Sequence, residues 1–152
     1  MTAKEVSELL RKGLSYARKT KYKEAMLYYN KALIIDPKNP EAWYLRASVL
    51  IDTGKSKEAL VDCEKAISLD QNYAPAWSKK GLAFYNLEQF EEGLFASTRA
   101  ASLNGNDVSA WYIKGVCLDE LGRSDEAQEV YGKSLELEII LDIESEKKKV
   151  GR

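Results

Sequence analysis

Apolar and small residues return along this chain in steps of three and four, and the whole grouping returns every 34 residues. Between residues 40 and 73, Trp43, Ala47 and Leu50 trace one helical face, and Ala59, Cys63, Ala66 and Ile67 trace a second. Gly54 and Gly122 mark turns between the two faces. Steps of 34 divide the chain into four copies, 6–39, 40–73, 74–107 and 108–141, with a tail at 142–152. Small residues hold Gly13, Ala47, Gly81 and Gly115, then Ala25, Ala59, Gly93 and Ala127, then Ala32, Ala66, Ala100 and Ser134. Bulky ones hold Leu9, Trp43, Trp77 and Trp111, then Tyr16, Leu50, Phe84 and Leu118. Antiparallel helices approach closely only where side chains are small, and large residues fill the space beside them. The pattern predicts an all-α chain of four stacked helix pairs.

The ends of the predicted helices carry their own signals. Asn39-Pro40 places an N-cap residue before Pro at the first helical position, and Pro75 repeats the idea. Glu24, Glu58, Glu92 and Glu126 open each second helix, where the macrodipole favours negative charge. Asp36-Pro37, Asp70-Gln71 and Asn104-Gly105 close the first three copies, but Glu138-Ile139 stands at that place in the fourth. With no Pro and only Gly132 between Asp125 and Lys149, the last helix is expected to run on. It carries Leu135, Leu137, Ile139, Ile140, Leu141 and Ile143. The expectation is that these residues cover the end of the fourth copy as an extended cap. The alternative is a surface that joins two copies as a homodimer. Lys147-Lys148-Lys149 reads as a solvated, helix-ending cluster.

The columns resemble the tetratricopeptide repeat (TPR) family over about nine-tenths of the chain. In the third copy the matching residues are Trp77, Gly81, Phe84, Gly93, Ala100 and the Asn104-Gly105 turn. The resemblance implies a single TPR domain over 1–152, an α-solenoid wound as a right-handed superhelix around a concave groove, with an extended C-terminal helix. It also implies a protein-interaction module that holds a partner peptide or helix. Leu9 in place of Trp suits a terminal repeat.

Composition narrows the function further. Lys and Arg total 23 against 24 Asp and Glu, for a net charge of -1, so neither nucleic acid nor an anionic membrane is expected as a partner. There is no His, which removes imidazole catalysis, His metal sites and His pH switching. Cys63 and Cys117 lack metal-ligand spacing and read as buried thiols. The amino-terminal segment is charged and amphipathic, unlike a signal peptide, and a cytoplasmic protein is expected. Adjacent acidic pairs such as Glu91-Glu92 point about 100° apart on a helix and cannot share a proton. No Gly-rich phosphate loop, Cys-x-x-Cys or nucleophile elbow occurs. No enzyme, cofactor or metal is expected.

By the resemblance, the first helix of each pair lines the groove. The residues this assigns to the partner are Leu10, Arg11, Tyr44, Leu45, Lys79, Tyr85, Tyr112 and Ile113. Leu14, Leu82 and Val116 are expected to be buried between neighbouring helices instead. Some TPR domains grip a chaperone's C-terminal carboxylate with Lys, Asn, Asn, Lys and Arg. The corresponding positions here are Leu10, Leu14, Leu45, Pro75 and Lys79, or one repeat on, Tyr44, Ser48, Lys79, Ser109 and Ile113. Neither set presents enough donors for such a clamp.

Overall fold

The structure is a computed structural model and describes residues 2–152. Eight helices follow one another: α1 (Thr2–Arg18), α2 (Tyr22–Ile35), α3 (Pro40–Asp52), α4 (Ser56–Leu69), α5 (Ala74–Asn86), α6 (Phe90–Leu103), α7 (Val108–Glu120) and α8 (Ser124–Val150). The second helix of each pair starts one period after the last, and no strand occurs among the described residues. Each helix packs on the next in sequence.

One local motif closes every first helix. The amides of Lys21, Lys55, Gln89 and Arg123 donate back to the carbonyls of Tyr16, Leu50, Phe84 and Leu118 at 2.7–2.9 Å. Closing that loop needs a residue with positive φ, as in a Schellman ending. The position is held by Thr20 (φ 57°), Gly54 (80°), Glu88 (59°) and Gly122 (77°). Only two of the four are glycine, so the other two hold a side chain in the left-handed region at a cost of about 1–2 kcal/mol. Glu88→Gly is therefore expected to raise the melting temperature by the equivalent of about 0.5–1 kcal/mol, after the greater unfolded-state freedom of glycine is subtracted. Gly54→Ala should lower it by about 1 kcal/mol. A fall in melting temperature for Glu88→Gly, or a rise for Gly54→Ala, would remove the strain argument.

A second motif closes the first three repeats. Asp36, Asp70 and Asn104 each accept a hydrogen bond on Oδ1 from the amide two residues on, at 3.0–3.1 Å. These turns end the helix because the short side chain competes for the backbone. Trp43, Trp77 and Trp111 then lock them, each indole Nε1 donating to the carbonyl six residues before it at 2.8–2.9 Å. The tryptophans thus bolt repeat to repeat as well as filling space. Leu9 follows no such turn and has no side-chain N–H to give.

The fourth member of the Asp36 column is Glu138, a good helix former whose side chain is one methylene longer. No turn forms, and α8 has 27 residues against 14 in α6. The expected cap does not materialise. Leu135, Ile139, Ile140, Leu141 and Ile143 all remain exposed, and the buried residues of α8 are Ala127 and Ser134. The reason is geometric: α7 begins at Val108, whose carbonyl accepts from Ser134 Oγ at 3.3 Å, so residues beyond the next turn of α8 have no neighbour to cover.

Candidate functional site

Curvature places the site. α1 touches α3, α3 touches α5 and α5 touches α7, whereas no two second helices touch. The first helices are therefore crowded on the inner side of the bend and the second helices fan out on the outer side. A face on the inner side is concave.

On that face lies a cavity of about 370 Å³ between α5, α7 and α8. Leu82, Val108 and Ile113 give it apolar walls, Ser78, Ser109 and Ser134 add hydroxyls, and Lys79, Glu138 and Tyr112 complete it. Lys79 makes no ion pair among the described residues. The Tyr112 ring is 56% exposed and leans on Tyr131 at 5.9 Å between centroids. A cation free to donate to an acidic or carbonyl oxygen thus stands beside an amphipathic ring and greasy walls.

Of the eight residues assigned from the sequence, Lys79, Tyr112 and Ile113 meet in this cavity. Tyr44 and Tyr85 are half-buried: the Tyr44 ring stands edge-on to Tyr73 at 5.9 Å, and Tyr85 tilts against Phe90 at 5.8 Å. Burial, with Asp107 and Glu41 nearby, raises the Tyr44 hydroxyl above its ordinary pKa, so it remains a neutral donor. Arg11 is exposed on α1, next to Glu8 at 4.0 Å, away from the cavity.

Leu10 and Leu45 correct the expectation of exposed greasy surface. Both are buried in one cluster with Val6, Tyr29 and Val49, where α1 and α3 pack together. Ile113 is likewise buried and can serve only as a wall. Conversely Leu14, Leu82 and Val116, expected inside, are only half-buried. The contact between successive first helices decides this, and intrarepeat periodicity does not report it. Val108, Ser134 and Glu138 were not assigned to the site at all. The missing turn at Glu138 was the sequence signal that α8 would reach the groove.

No cluster of His, Cys, Asp and Glu able to hold a metal occurs among the described residues. Cys63 and Cys117 are unpaired and buried, and burial pushes their thiols up to about 12 and about 11. Both stay protonated near neutrality and are poor nucleophiles. No described helix is long and apolar enough to cross a membrane.

Family models described as tetratricopeptide repeat match residues 6–39, 28–61 and 108–138. The first TPR of Spaghetti (RPAP3), solved bound to an HSP90 peptide SRMEEVD, is 30% identical, with 78% of this chain and 94% of that one covered and a TM-score of 0.74. The chain belongs to the tetratricopeptide repeat family. MamA from Desulfovibrio magneticus RS-1 is similar at 26% identity, over 90% of this chain and 77% of that one, with a TM-score of 0.76. PilF of Pseudomonas aeruginosa shares the fold at 23% identity and a TM-score of 0.83, over 90% of this chain and 62% of that one. Comparison with curated proteins found no significant match. The TPR family is a family of protein-interaction modules rather than enzymes, and the eight helices of this TPR chain form its α-solenoid with the last helix prolonged.

Proposed function

We propose that this TPR array is a non-enzymatic adaptor that holds a peptide segment of a partner protein in its concave groove. The observation that carries the reading is the cavity in which Lys79 and Tyr112 stand over the walls of Leu82 and Ile113. A fitting segment inserts one apolar side chain between α5 and α7 and offers an oxygen to Lys79. Tyr44, Tyr85 and Arg11 would extend the contact toward the first repeats. The RPAP3 domain is solved with an HSP90 peptide, but this groove differs in kind. In our reading it lacks a carboxylate clamp, because of the corresponding residues Leu10, Leu14, Leu45, Pro75 and Lys79 only Lys79 can donate from a side chain. With Lys79 as the cation that lines the cavity, binding should depend only weakly on salt. Two unpaired thiols suit a reducing compartment, and we place the protein in the cytoplasm.

The test is capture of partners from extract by wild type and by Tyr112→Ala, followed by titration of the captured protein. Tyr112→Ala should weaken binding at least tenfold, as expected of an exposed aromatic anchor, and Lys79→Ala should weaken it about threefold to tenfold. Tyr112 is preferred to Tyr44 because it makes less internal contact, so its loss leaves the fold intact. Undiminished affinity in the Tyr112→Ala/Lys79→Ala double variant would place the partner elsewhere. A second reading, association of two copies through α8, is favoured by the apolar residues exposed along that helix.

A further inference from the structure

We infer that two copies of this chain pair through the overhanging part of α8, and that they pair antiparallel about a two-fold axis near Asp142 and Ile143. The inference rests on the self-association reading and adds its geometry. Four features of the overhang point the same way.

The first is lack of support. The second helices α2, α4 and α6 end at 35, 69 and 103, so the register of the repeat would end α8 at 137. It continues to Val150, and every residue from Glu138 on is exposed. A helix of that length is marginal in water without a face to pack. The second feature is the face itself. At roughly 100° per residue, Leu135, Ile139, Ile143 and Val150 fall within about 80° of one another, with Glu146 on the same face. Their spacing of four, four and seven makes a narrow seam of the kind that joins two helices. Leu135, Ile139 and Ile143 are each half or more exposed, and Val150 is 86% exposed.

The third feature is charge. The near part of the overhang carries Glu136, Glu138, Asp142, Glu144 and Glu146, and the far part carries Lys147, Lys148 and Lys149. A parallel pair would set carboxylate against carboxylate and ammonium against ammonium. An antiparallel pair sets Glu136 near Lys147 of the second copy on one flank and Glu138 near Lys149 on the other. The same register lays Leu135 against Val150 and brings the two Ile143 side chains together at the axis, with the two Asp142 carboxylates the one like-charged pair it brings close. Lys147 and Lys148 make no ion pair among the described residues, and the Lys149–Glu146 contact is a solvent-exposed one that can exchange partners at little cost. The interface is isologous, so it closes at two copies and does not propagate.

The fourth feature is that the pairing leaves most of the groove open and meets it only at its rim, through Glu138. Ser134, which lines the cavity, lies roughly 140° around α8 from Ile139. The pair would then present two grooves, and a partner carrying two suitable segments would be held by both, which raises its effective affinity well above that of one groove.

Sedimentation at tens of micromolar tests the pairing, and directed crosslinking tests its direction. Wild type should sediment as a dimer. Ile139→Asp/Ile143→Asp should be monomeric, with the melting of the array unchanged in dilute solution because neither side chain touches it. With Cys63 and Cys117 buried, an added thiol reports alone. A mixture of Leu135→Cys and Val150→Cys proteins should oxidise to a mixed disulfide-linked pair, and neither protein should crosslink by itself. A monomeric wild type overturns the self-association reading and this geometry together. A dimer in which Leu135→Cys crosslinks to itself overturns the antiparallel arrangement alone.

Discussion

Replacing Arg46 by Ala is expected to cost about 3–5 kcal/mol, the range for leaving a buried charge without its partner. Arg46 lies on α3 and donates two hydrogen bonds to Asp62 on α4, Nε to Oδ2 at 2.7 Å and a terminal nitrogen to Oδ1 at 2.9 Å. Its other terminal nitrogen donates to Asn30 of α2 at 3.0 Å, and the guanidinium lies 4.8 Å from the Trp43 ring. One side chain therefore ties three helices and the first repeat to the second. Asp62 is only 3% exposed, so without Arg46 its carboxylate is stranded in a region of low dielectric. The reverse change should be far milder. Arg46 is more exposed than its partner and can turn its charge to water, and the places equivalent to Asp62 in the third and fourth repeats are the apolar Ala96 and Val130. Asp62→Ala is therefore expected to cost about 1 kcal/mol. Chemical denaturation of both variants reads the asymmetry: equal losses would mean that the pair acts through packing alone.

The same residues show how much of the fold was legible in the chain. The helix pairs, their starts at 40, 74 and 108 and the prolonged last helix follow from columns of size and from Pro, Asn and Gly at the joints. Those signals are local, each acting within a turn or two of its own position. The Trp column was legible as bulk but not as a hydrogen-bonded bolt, because the acceptor is a backbone carbonyl that any residue supplies. The strained corners at Thr20 and Glu88 were hidden for the opposite reason, since neither residue type announces positive φ.

The groove was less legible than the scaffold. Tyr44, Leu10, Ser78 and Tyr112 occupy one column, and Arg11, Leu45, Lys79 and Ile113 occupy the next. Equivalent position did not mean equivalent exposure: Leu10 is buried whereas Tyr112 is open. What separates them is the neighbouring first helix, which covers Leu10 and leaves Tyr112 uncovered at the open end of α7. A repeat reads well from its own sequence, but a surface between repeats depends on residues 34 positions away in both directions.

That dependence can be tested where two columns meet. Gly13, Ala47, Gly81 and Gly115 on the first helices face Tyr29, Cys63, Ser97 and Tyr131 on the second, and at Gly13 and Gly115 a glycine stands opposite a tyrosine ring. A Cβ added at Gly13 would overlap Tyr29 Cε1 and lie 2.8 Å from its Cδ1. Tyr29 is 1% exposed and cannot swing aside. At Gly115 the overlap with Tyr131 is similar, 2.5 Å to Cε1, but that ring is only half-buried and can yield. Gly13→Ala is thus expected to lose about 1–3 kcal/mol, even after the gain in helix propensity, and Gly115→Ala markedly less. In a Tyr29→Cys background the sign should change. The pair then becomes the Ala and Cys already found at Ala47 and Cys63, the overlap with the ring is gone and only the 3.2 Å approach to Tyr28 Cβ is left, so the preference of a helix for Ala over Gly, about 0.5–1 kcal/mol, favours the substitution. Melting curves of the four proteins in this cycle, with amide exchange read in α1 and α2, supply the coupling. Additive effects would show that ring and glycine do not share one space, and the size columns would then lose their claim to hold the helices in register.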